Sequence, residues 1–255
     1  MIERKRRQLY GRRKGQKLSA HQSSLLETLL PQLALDIEMA RDPRSYFDAP
    51  VSDVWLEIGF GGGEHLHWQA ENNPNVGMIG AEPFVNGVAK LLSRMESLSP
   101  SGGEGKGEGV SPDKLLRRPP HPGPLLRGGR GRNVRIHMGD AREIIEALPD
   151  ACLGRVFILF PDPWPKTRHH KRRFIQTAML DALARVMKQG AELRFASDDA
   201  PYLDWTLERL MAHPVFEWTA TRSLDWKTRP DDWPQTRYEA KQLHGVPGFL
   251  RFKRI

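Results

Sequence analysis

Apolar positions recur along this chain in short runs separated by helical patterns. Residues 54–58 (VWLEI) read as a buried strand, ending in a glycine-rich turn and a helical stretch over 64–71. Residues 76–81 form a second apolar run, followed by a helical pattern from 85 to 95. Residues 134–138 predict a third strand, and Asp140 opens a helix that runs to residue 148. A fourth strand is predicted over 156–160, with a helix near 174–187 behind it. The fifth follows a turn at Gly190 and covers 192–197, with a helix across 203–211. Residues 249–253 (FLRFK) alternate and read as a late antiparallel strand. This order predicts an α/β fold with a mostly parallel sheet and helices on both faces. In such sheets ligands bind outside the carboxyl ends of the strands.

One stretch breaks the pattern. Residues 97–131 hold nine Gly and six Pro in 35 positions, against 28 Gly and Pro in the other 220. Ordering that many backbones costs far more conformational entropy than burying its six larger aliphatic side chains returns, so disorder is predicted. A long connector adds little closure entropy, which suits a surface insertion within one domain. The expected organisation is a basic tail over 1–20 and a single domain over 21–255, interrupted at 97–131.

Composition narrows the class. The longest purely apolar run, 156–160, is far short of the ~20 residues a membrane span needs. Residues 1–16 lack the apolar core of a secretory signal. The single cysteine, Cys152, excludes an internal disulfide and argues against a thiolate metal site. A soluble, cytoplasmic protein without metal or membrane partner is expected, as monomer or homodimer. The net charge of +8 is uneven: +7 over 1–17, +3 over 97–131 and +5 over 166–173 leave about −7 for everything else. Localised basic patches on an acidic body point to a polyanionic partner, although solvated tails would look the same.

The strand ends carry the candidate chemistry. After the first strand comes Glu57-Ile58-Gly59-Phe60-Gly61-Gly62-Gly63, where Glu64 stands in place of the glycine a dinucleotide fingerprint requires. A purely structural turn would also use such glycines. The second strand ends in Glu82, whose two oxygens suit two ribose hydroxyls. The third ends in Asp140, which reads equally as a helix N-cap or as an acceptor for an adenine amino group. The fourth ends in Asp162 within PDPWPK, followed by RHHKRR.

The spacing E-x-G-x-G-x-G resembles motif I of S-adenosyl-L-methionine-dependent methyltransferases. PDPWPK with RHHKRR resembles the bacterial tRNA (guanine-N7-)-methyltransferase family more specifically. The likeness continues at Phe195-Ala196-Ser197-Asp198, at Thr236-Arg237-Tyr238-Glu239 and in the N-terminal RRKGQKL, across most of the chain outside 97–131. The insertion departs from the family, as do Ser197, where threonine is usual, and Thr167, where a basic residue is common.

The resemblance implies a Rossmann-like class I methyltransferase domain with a seven-stranded sheet. It implies S-adenosyl-L-methionine as cofactor and tRNA as partner, with transfer to N7 of the variable-loop guanine, guanine 46. Cofactor contacts are implied at Glu57, Gly59, Gly61, Glu82, Asp140 and Asp162, with Asp162 at the catalytic centre. Substrate contacts are implied at Lys166, Asp198, Thr236, Arg237, Tyr238 and Glu239. RNA contacts are implied at Arg168, His169, His170, Lys171, Arg172 and Arg173, a run that also suits a solvated helix start. Trp164 is suited equally to stacking on a base or to packing beneath its loop. A non-catalytic RNA-binding module would explain the basic patches but not the set of strand-end acids.

Deleting 97–131 and joining its ends with a short connector is expected to leave folding, tRNA affinity and turnover unchanged. A loss of tRNA affinity would instead give the insertion's arginines a role.

Overall fold

The computed structural model describes residues 9–97 and 133–255, apart from 12, 14, 38–41 and 242, so the predicted insertion lies outside the described residues except for Ser97, which ends a helix. The chain begins with α1 (Ala20–Thr28), α2 (Leu30–Leu33) and a 3-10 turn at Pro43–Tyr46, then β1 (Asp53–Ile58) and α3 (Glu64–Asn72). Next come β2 (Val76–Ala81), α4 (Val85–Ser97), β3 (Val134–His137) and α5 (Ala141–Ala147). β4 (Leu153–Leu159) leads through a 3-10 turn at Thr167–Arg172 to α6 (Thr177–Val186), β5 (Met187–Ser197) and α7 (Ala200–Ala212). β6 (Phe216–Trp218), α8 (Leu224–Lys227), α9 (Arg237–Lys241) and β7 (Gly248–Arg254) complete it.

The strands form one sheet in the order β3-β2-β1-β4-β5-β7-β6. β1 to β5 run parallel, and β7 inserts antiparallel between β5 and β6. Side-chain parity then sorts the core into two layers. Val54, Leu56 and Ile58 of β1 join the apolar faces of α5, α6 and α7. Trp55 turns the other way, into a layer made with α1, α3 and α4 through Leu25, Leu66, Leu91 and Leu92. Glu57 shares the parity of Trp55 and is therefore carried toward α3.

Several details depart from the periodicity reading. Gly190 is not a turn ahead of the fifth strand but lies inside β5, which starts at Met187. Leu153 pairs with Met187 and Arg155 with Glu192, so β5 takes up extra residues at an irregularity where Gly190 has φ +81°. The helix predicted near 174 starts at Thr177, because the Phe174 amide donates to the Tyr202 hydroxyl (3.0 Å) instead of entering a helical turn. α1 escaped the pattern because its apolar stripe is narrow; Ser19 and Gln22 close a reciprocal capping box at its start. β6 is too short to show a period.

The glycine turn after β1 holds Gly59, Gly61 and Gly63 at φ of +73°, +55° and +72°. Gly63 is the N-cap of α3, and a Cβ there would lie 2.6 Å from Leu91 Cδ1. Left-handed strain and overpacking act together, so Gly63→Ala is expected to destabilise the fold by about 2–4 kcal/mol. Urea unfolding measures this, and an unchanged midpoint would contradict it.

Candidate functional site

The strand order reverses at β1, whose neighbours β2 and β4 lead the chain to opposite sides. A cavity of about 830 Å³ opens at the carboxyl ends of these strands. It is lined by Glu57, Gly59, Gly61, Glu82, Asp140 and Asp162, the six residues expected to hold a cofactor. Its size falls within the range of small-molecule sites.

Each acid is held by its own local structure. Glu57 is buried, and its Oε2 lies 2.7 Å from Nδ1 of His65 on α3. Glu82 grips the glycine turn: one oxygen accepts from the Gly61 amide (2.7 Å), the other from the Phe84 amide (2.9 Å). Burial raises its carboxyl above the ordinary range, while those two donors pull the other way. Asp140 is the N-cap of α5, accepting from the Arg142 amide (3.0 Å), and it also lines the cavity. The Arg142 guanidinium forks onto its two oxygens, Nε lying 3.0 and 2.8 Å away.

Asp162 occupies a strained loop. Phe160 and Trp164, on either side of it, take φ of +50° and +47°, a region costly for side-chain-bearing residues. Three prolines stiffen the segment, and two hydrogen bonds fix it: Phe160 N–H to the Ala196 carbonyl (2.7 Å) and Arg173 Nε to the Pro163 carbonyl (2.8 Å). Asp162 keeps access to solvent within the cavity, but the walls around it displace enough water to raise its carboxyl above the ordinary range.

The basic run that follows divides by environment. Lys166, Arg168 and Lys171 are exposed, and His169, His170 and Arg172 are half-buried. Arg173 departs from the RNA-contacting role expected of it. Only 2% of it is exposed, it also donates to the Pro201 carbonyl (3.3 Å), and its guanidinium lies over Tyr202 and Trp205. It therefore ties the Asp162 loop to α7. Trp164 packs edge-on against Tyr10 and His169, with the Arg172 guanidinium 4.9 Å from its ring.

The expected substrate residues also divide. Thr236 and Tyr238 line the cavity, and a Cβ on Gly61 would lie 3.1 Å from the Tyr238 ring. Arg237 is paired with Glu64 of α3 across the glycine turn. Glu239 is buried against Arg229 (3.1 Å); burial raises its carboxyl and Arg229 opposes the shift. Asp198 accepts from the His244 amide (3.1 Å). Lys166, Asp198, Arg237 and Glu239 lie outside the cavity lining.

Sequence reasoning missed the N-terminal contribution. Leu9, Tyr10, Gly11 and Arg13 line the cavity, and a Cβ on Gly11 would lie 3.2 Å from Asp162 Oδ2. The segment is fastened to the start of α4, where the Gly15 amide donates to Asn86 Oδ1 and Asn86 Nδ2 donates to the Gln16 carbonyl, both at 2.7 Å. The lone Tyr10 amid eight basic residues was the available signal. His65 was missed too, its buried position being set by α3.

Among the described residues, no helix is long and apolar enough to cross a membrane, and no group of three His, Cys, Asp or Glu is gathered as for a metal ion.

A family model described as putative methyltransferase matches residues 52–246. A tRNA (guanine-N(7)-)-methyltransferase of Rhodospirillum rubrum is 47% identical over 252 residues, covering 96% of this chain and 87% of that protein. One from Rhodopseudomonas palustris is 45% identical, covering 96% and 86%. One from Azorhizobium caulinodans is 41% identical, covering 96% and 94%.

The raised Asp162 carboxyl has a consequence for stability. A carboxyl whose folded value lies above its unfolded value favours the fold at low pH and penalises it once ionised. Asp162→Asn is therefore expected to be more stable than the parent at neutral pH. That advantage should fade as pH falls through the folded value toward the ordinary carboxylate range. Thermal unfolding across pH 3–8 checks it, and a variant less stable at pH 7 would contradict it.

Proposed function

The chain belongs to the tRNA (guanine-N(7)-)-methyltransferase family, and on that premise we propose that it methylates N7 of the variable-loop guanine, guanine 46, of tRNA. The observation that carries the reading is the convergence of Glu57, Glu82, Asp140 and Asp162, from four successive strand ends, on one cavity. The donor set suits S-adenosyl-L-methionine: Glu57 for the ammonium, Glu82 for the ribose hydroxyls and Asp140 for the adenine amino group. The positive-φ glycine turn allows close backbone approach, and a Cβ on Gly59 would meet nothing within 4 Å. When bound, this cofactor supplies an activated methyl on a sulfonium.

Guanine N7 carries an in-plane lone pair and attacks without losing a proton, so no general base is needed. The protein's task is to align the reacting atoms, and positioning of that kind is worth ~7–11 kcal/mol of barrier. Thr236 and Tyr238 bound the cavity from the C-terminal side and Tyr10 from the N-terminal side. Asp162 offers a rigidly held carboxylate to the positive charge that moves onto the purine. Lys166, Arg168 and Lys171 give phosphates an exposed basic ledge beside the Asp162 loop.

Incubation with labelled S-adenosyl-L-methionine and tRNA, followed by nucleoside analysis, is expected to yield 7-methylguanosine. Label at another base atom would refute the reading. Asp162→Ala is expected to lower turnover at least about a hundredfold while keeping tRNA affinity, as for loss of one charge-stabilising group. Full activity in that variant would remove Asp162 from the centre.

A further inference from the structure

Helix α3 turns His65 inward below the glycine turn, where only 2% of the residue is exposed. Its ring meets Phe157 of β4 edge-on at 4.6 Å between centroids and Trp233 at 5.8 Å. Nδ1 lies 2.7 Å from Glu57 Oε2, and Nε2 lies 3.2 Å from Gln69 Nε2.

The direction of this chain of hydrogen bonds can be read from its far end. Asn73 Nδ2 donates to the Gln69 carbonyl (2.9 Å) and to Gln69 Oε1 (3.0 Å). Gln69 Nε2 donates to the Asp232 carbonyl at 2.7 Å. Both ends of the amide are thereby assigned, and its nitrogen is the atom facing His65. An amide NH₂ only donates, so His65 Nε2 must accept and carries no proton. The proton is then on Nδ1, which donates to Glu57. In this tautomer His65 sets no counter-charge beside Glu57, which also lines the cavity.

We propose that His65 is a positioning residue that aims the ionised Glu57 carboxylate at the amino-acid end of the methyl donor. The assignment rests on the reading of the cavity as an S-adenosyl-L-methionine site. An imidazolium at this place would cancel the charge that is to receive an ammonium. Gln69 prevents that by presenting a donor to Nε2, so α3 supplies a held hydrogen bond without a counter-charge.

Two ligands separate this role from general support of the fold. S-adenosyl-L-homocysteine carries the amino-acid group, and 5′-methylthioadenosine lacks it. In calorimetric titrations of the full chain, His65→Leu is expected to weaken the first about tenfold, as for loss of a hydrogen bond to a charged group, and to leave the second unchanged. His65→Asn, whose side-chain NH₂ still donates to Glu57, is expected to recover most of the loss. Equal losses for both ligands, or none for either, would overturn the role. A parent chain that binds neither ligand would overturn the cofactor reading itself.

A measurement on the parent protein guards against a variant that fails to fold. Long-range ¹H–¹⁵N spectra, with the His65 signals identified by their absence in His65→Asn, are expected to show a neutral ring protonated at Nδ1. An Nε2-protonated or doubly protonated ring would overturn the proposal.

Discussion

A carboxylate at the end of a strand buried on both faces has to be satisfied inside the protein, and Glu57 imposes that demand here. Its parity on β1 sends it into the layer where α3 packs. Leaving it unpaired within that apolar layer would cost several kcal/mol. His65 meets the need on one side, and the cavity meets it on the other. The same hydrogen-bonded chain runs on through Gln69 to the Asp232 carbonyl, so an irregular segment far along the chain is tied to one acid on β1. The Asp232 carboxylate is itself claimed by buried Arg194 of β5. The floor of the site and the far half of the sheet are therefore linked through polar contacts as well as through apolar packing.

The other wall follows a different logic. Asp162 is held by a loop with two left-handed residues and three prolines. Such a conformation persists only where its surroundings over-determine it. β5 supplies one fixed point through the Ala196 carbonyl, and Arg173 supplies the other. One face of the cavity is thus built from satisfied burial and the other from restrained strain, and Glu82 joins them by gripping the glycine turn.

Much of this was legible in the sequence, because strand period and strand-end acids are local signals. The parallel core and the late antiparallel strand follow from short apolar runs; Glu57 lies within such a run, and Glu82, Asp140 and Asp162 follow within three residues of a strand end. What escaped depends on partners distant in sequence. Nothing in RHHKRR marks Arg173 as buried; its place is set by Tyr202 and Trp205, on a helix nearly thirty residues further on. Arg237 and Glu239 looked like open contacts, yet Glu64 and Arg229 already engage them. The basic composition before residue 18 hid Tyr10 and Gly11, whose location is decided by Asn86 and Trp164.

The insertion of β7 between β5 and β6 has a consequence for the order of events during synthesis. Among the described residues β6 has no hydrogen-bonded neighbour in the sheet other than β7, so it must wait for a strand made some thirty residues later. Thr236 and Tyr238, which close one side of the cavity, lie just before that same strand. A nascent chain can assemble β1 to β5 on the ribosome, but its sheet and its pocket are complete only once β7 and the segment just before it have been made. Closure of the pocket is thereby tied to closure of the sheet.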